Sequence, residues 1–83
     1  MNYTWQYSVL KPSEGGPEGG LRYEVQAVKK AGGNAKVTGS SYIGHTAILV
    51  WGKTKAQMRL AFRALKRCGL IDNIGDEMRS LNY

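Results

Sequence analysis

Between positions 53 and 69 this chain has no carboxylate, and in all its 83 residues it has one cysteine, one phenylalanine and two prolines. Each scarcity excludes something. The lone thiol, Cys68, allows no intrachain disulfide, the usage expected in a reducing compartment. The longest apolar run, Ala47–Trp51, falls far short of the roughly 20 residues that a spanning helix needs. The opening MNYTWQYSVL lacks a basic n-region, an unbroken apolar core and a small-residue cleavage site, so it does not read as a signal peptide. A cytoplasmic protein without a membrane segment is the expectation.

The constellations of catalysis are missing too. His45 is the single histidine, with no Cys, His or carboxylate at ligand spacing. No Ser/His/Asp arrangement and no carboxylate pair can be assembled. Gly52-Lys53-Thr54 invites a phosphate-loop reading, but that motif needs a glycine five residues before its second glycine, to wrap backbone N–H groups around phosphate. Position 47 is Ala, and residues 48–51 look like strand. A non-enzymatic protein with no cofactor and no metal is expected.

What is present is charge, unevenly placed. The formal net charge is +6. Residues 53–69 hold six cations and no anion, whereas residues 70–83 hold one cation and three anions. A basic block of this kind favours an anionic partner.

The block coincides with the clearest helix signal. Thr54 followed by Gln57 forms a capping box. Gly69 is placed to end the helix in a left-handed conformation, with Leu70 near Leu65 as the accompanying apolar contact. At about 100° per residue, Met58, Ala61, Phe62, Leu65 and Cys68 share one face. Lys55, Arg59, Arg63 and Arg67 fall in one i,i+4 row, with Lys66 beside them. Like charges at that spacing destabilise a helix by roughly 0.2–0.5 kcal/mol per pair, and no acidic residue offsets them. A solvated face is one explanation of the row. An anion-binding face is the other, because about 6 Å of rise per step is comparable with phosphate spacing along a strand.

Residues 3–10 alternate, with Tyr3, Trp5, Tyr7 and Val9 on one face, and predict a strand. Residues 11–20, KPSEGGPEGG, read as a flexible connection. Leu21, Tyr23, Val25 and Ala27 alternate with polar residues and predict a second strand. Ala31-Gly32-Gly33-Asn34 then reads as a hairpin turn flanked by Lys29, Lys30 and Lys36. Residues 35–51 fit either one bent strand or a hairpin of two, and Ala47–Trp51 is apolar on both faces, as in a central strand. Ile71, Ile74, Met78 and Leu81 suggest a short helix or turn near the end. The expected fold is α+β: one small domain over 1–83, an antiparallel sheet of three or four strands, one main C-terminal helix on one face and a short second helix or turn after it.

The run Gly52–Arg59 resembles, over about eight residues, the start of the last helix in double-stranded-RNA-binding domains. In that family a Ser-Lys-Lys-x-Ala-Lys pattern grips phosphates. Thr54, Lys55 and Arg59 match the pattern, while Ala56 and Met58 depart from it. Residues 3–10 read as strand where that family has its first helix, so no family is assigned.

The leading functional expectation is nucleic-acid binding, DNA or RNA, through phosphate contacts with little sequence specificity. Lys53, Lys55, Arg59, Arg63, Lys66 and Arg67 are the candidates, with Lys29, Lys30 and Lys36 assisting. The alternative is an inhibitor or adaptor, of the type mobile elements encode, that docks the same helix on an acidic protein surface. Trp5 and Tyr7 read as core or as a stacking platform, and Leu60, among the cations, as an exposed anchor.

Overall fold

The computed structural model describes residues 2–10, 19–39 and 45–81. The chain runs β1 (Tyr3–Leu10), a 3-10 turn (Gly19–Leu21), α1 (Arg22–Lys30), β2 (Asn34–Gly39), β3 (His45–Gly52), α2 (Lys55–Arg67) and α3 (Ile74–Arg79). The fold is α+β, as expected. Most of residues 11–20, and residues 40–44 within the uncertain 35–51 stretch, lie outside the described residues.

The three strands form one antiparallel sheet in the order β1-β3-β2. Trp5 pairs with Val50 and Val50 with Ala35, while Thr4 pairs with Trp51 and Trp51 with Asn34. The 35–51 stretch is therefore two strands, and its apolar half is the central one. β1 and β2 lie parallel on either side of β3 with α1 as the crossover, a split β-α-β unit.

Residues 21–27 are not a strand. LRYEVQAVKK satisfies two periods at once, and the helical one is realised. Leu21, Val25 and Val28 share a helix face and are buried, whereas Tyr23, an inward position of the predicted strand, is 79% exposed. Gly32 and Gly33 accordingly make a helix stop and not a hairpin turn. Gly32 is left-handed at φ 95°. Its N–H donates to the Lys29 carbonyl and that of Gly33 to the Val28 carbonyl, at 3.1 and 3.0 Å. These are the paired bonds of a Schellman ending. The residue requirement, glycine at positive φ, is common to both turns, so composition alone does not separate them.

α2 follows its signals closely. The Gln57 N–H donates to the Thr54 hydroxyl at 3.1 Å, and the Lys53 N–H donates to the Gln57 amide oxygen at 2.9 Å. The reciprocal bond thus lands one residue earlier than in the usual capping box. Gly69 sits at φ 80°, and Leu70 N–H closes on the Leu65 carbonyl at 3.0 Å.

The core lies between one sheet face and the helices. Ile48, Val50 and Ala35 face Val25 and Val28 of α1 and Met58, Ala61, Phe62 and Leu65 of α2, all buried. Trp5, Val9 and Val37 pack at its border. α3 closes the far side of α2, with Ile71 and Leu81 buried around it. The other sheet face carries no helix among the described residues.

Candidate functional site

Each predicted cation of α2 is exposed: Lys55, Arg59, Arg63, Lys66 and Arg67. The burial of Met58, Ala61, Phe62, Ala64 and Leu65 fixes the helix rotation and forces the charged row outward. The row is not straight. Four residues advance the helix by about 40° beyond a full turn, so Lys55 and Arg67 diverge by roughly 120°. Lys66 and Arg67 occupy the last turn, where the helix dipole favours them, and no acidic residue in the first turn offsets Lys55.

α1 adds to this surface, though not through a hairpin tip. Lys30 and Arg67 line a common groove of about 450 Å³ with Tyr23, Ala27, Ala64 and Cys68. A second hollow, about 570 Å³, is lined by Leu60, Arg63, Lys66, Arg67, Ala31 and Ile74. Leu60 is 43% exposed, an apolar spot ringed by cations. Lys29 is exposed on α1 but lines neither hollow.

Lys36 and Lys53 go elsewhere. Lys36 alternates with the core-side Ala35 and Val37, so it stands on the helix-free face of the sheet. Lys53 lines a hollow of about 540 Å³ with Thr4, Asn34, Leu49 and Trp51. The lysines of the 29–36 stretch do not form one cluster, because the segment between them is a helix end and not a hairpin.

Trp5 is committed to the core border. Its ring meets Phe62 edge-on at 5.2 Å and stacks on Tyr7 at 5.3 Å. Tyr7 keeps 37% of its surface exposed. The Trp5 side chain also hydrogen-bonds Glu77 of α3; burial of that carboxyl raises its pKa, the Trp5 bond lowers it and the neighbouring Asp76 raises it. Burial is the largest cause, and the Glu77 pKa is raised above the ordinary value. Asp76 and Arg79 form an exposed ion pair on α3.

Cys68 is half-buried at the end of α2. Among the described residues, no three His, Cys, Asp or Glu side chains converge as metal ligands. No helix among them is long and apolar enough to cross a membrane.

Besides Tyr23, a second aromatic is exposed against the sequence expectation. Trp51, at the end of the apolar central strand, lies on the helix-free face and is 37% exposed. Alternation within β3 held the signal, since Ile48 and Val50 point inward and Leu49 and Trp51 outward. Comparison of the chain with protein-family models, with curated proteins and with solved structures found no match.

Proposed function

We propose that the protein binds nucleic acid through the exposed cations of α2, as a non-enzymatic basic module. The observation that carries this reading is the undiluted row itself. Five exposed cations stand on one 13-residue helix with no carboxylate on it. A helix selected only for packing would gain from Glu at i,i+4, and this one forgoes that gain along its whole length. Arg63, Arg67 and Lys30 supply the outward part, and Lys55, Arg59 and Lys66 the flank. Guanidinium groups suit bidentate phosphate contacts. No Asn stands on this helix, and Gln57, its one amide side chain, serves the cap and the Gly32 carbonyl. Affinity without strong base preference follows.

The test is binding to a generic duplex. Arg59→Glu with Arg63→Glu should abolish it while leaving the fold intact, since both side chains are exposed. Undiminished binding by that variant would refute the reading.

A second reading has its own observation. Leu60 at 43% and Tyr23 at 79% exposure lie beside the cations, an arrangement that fits an acidic protein partner with an apolar anchor point. Leu60→Ala would then weaken the complex, whereas phosphate binding would ignore it.

A further inference from the structure

The helix-free face of the sheet has a composition of its own. Strand register places three rows across it: Thr4, Trp51 and Asn34; Gln6, Leu49 and Lys36; Ser8, Ala47 and Thr38. His45 lies beyond on β3. The described residues of this face include Lys36 and no carboxylate. Lys53 borders it at the end of β3.

A bridge ties the second row to the third. Gln6 Nε2 donates to Thr38 Oγ1 at 3.1 Å, spanning from one edge strand to the other over the central one. Ala47, between Ser8 and Thr38 in the third row, is 1% exposed although it faces away from the helices. The first row is open. Trp51 is 37% exposed beside a hollow of about 540 Å³ whose wall includes Thr4, Asn34, Leu49, Lys53 and Gln57. Asn34 Nδ2 donates to the Trp51 carbonyl at 3.4 Å, and both residues line that hollow. Lys36 is the diagonal cross-strand neighbour of Trp51, a separation of about 7–8 Å that a lysine spans.

We propose that this face is a second site, for single-stranded nucleic acid, in which an unpaired base stacks on Trp51 while Lys36 and Lys53 hold the flanking phosphates. An aromatic ring on an open sheet, with cations along the path of the backbone, is the arrangement that takes single strands. The charge on the face is complementary to a phosphate backbone. Its apolar part, Trp51 and Leu49, is small for an apolar protein interface but sufficient for one base. Thr4 and Asn34 supply the hydrogen-bonding groups that a base edge uses. A stacked base must be unpaired, so a duplex does not occupy this site. It lies across the sheet from α2 and does not depend on the role given to that helix.

The experiment titrates the full chain with an oligothymidylate about a dozen nucleotides long and with a duplex of the same length. The two tryptophan indole N–H resonances are followed, and Trp51→Phe assigns them. The Trp51 signal should shift with the oligothymidylate and the Trp5 signal should not. Trp51→Ala should weaken single-strand binding about tenfold or more, while Trp51→Phe retains most of it. Duplex binding should be unchanged in both. Arg59→Glu with Arg63→Glu should leave the Trp51 shift in place, so loss of duplex binding there reports on α2 alone. An unmoved Trp51 signal at saturating oligothymidylate, or wild-type single-strand affinity in Trp51→Ala, overturns the proposal. An equal response of Trp51 to the duplex overturns it as well.

Discussion

The indole of Trp5 meets the ring of Phe62 edge-on, with centroids 5.2 Å apart and planes at 76°. This contact joins the first strand to the main helix across the chain's only phenylalanine. Edge-to-face pairs contribute about 0.5–1.5 kcal/mol beyond the area they bury. Trp5 also stacks on Tyr7 and bonds Glu77, so three elements converge on one side chain. Trp5→Ala should therefore destabilise the fold by about 3 kcal/mol, read from the denaturant midpoint. A loss within about 0.5 kcal/mol would mean that the ring is dispensable to the core.

The approach of Gly33 to α2 gives a second expectation. A Cβ at position 33 would lie 2.9 Å from Val28 Cγ1 and 3.0 Å from Ala61 Cβ, and Gly33 and Ala61 are both buried. Neither neighbour is a long flexible side chain that can swing aside. Gly33→Ala should cost about 1–3 kcal/mol in equilibrium unfolding, from crowding. Gly69→Ala meets nothing within 4 Å but forces alanine to φ 80°, and should cost about 1 kcal/mol. A neutral Gly33→Ala would show that α1 and α2 are less closely packed at this point.

The pH dependence of Glu77 has a defined sign. Its pKa is raised in the fold, so the protonated form is favoured there. The stability it contributes is fully present below the ordinary glutamate value of 4.5 and is lost as pH rises through the raised value. Glu77→Gln keeps an acceptor for Trp5 and removes the titration. Over the interval in which pH rises from 4.5 through the raised value, its stability should therefore fall less than that of the wild type. Thermal unfolding across that interval checks this, and parallel curves would contradict it.

How much of this was legible in the sequence follows from which signals were redundant. α2 had four that agreed: the Thr54 cap, the apolar face of Met58, Phe62 and Leu65, the Gly69 stop and the Leu65–Leu70 contact. The first three are realised, and at the fourth Leu70 N–H closes on the Leu65 carbonyl while its side chain packs against the core. α1 had two that conflicted, since Leu21, Tyr23, Val25 and Ala27 alternate while Leu21, Val25 and Val28 follow a helix. The buried Glu24 lay on the face that alternation marks as polar, and tertiary packing decided between the two. The missed helix then displaced the 29–36 lysines, separating Lys30, beside Arg67, from Lys36 on the opposite side of the sheet. The exposure of Trp51 is not legible because an apolar central strand conceals which of its faces lacks a covering layer.

The central claim, that the cations of α2 contact phosphates, is tested most directly by duplex affinity across a salt series, in the wild type and in Arg59→Glu with Arg63→Glu. Four or five phosphate contacts predict a slope of roughly −3.5 to −4.5 in log K against log salt for the wild type, and loss of that binding in the variant. A slope near zero, or equal affinity of the two proteins at every salt concentration, would contradict the account.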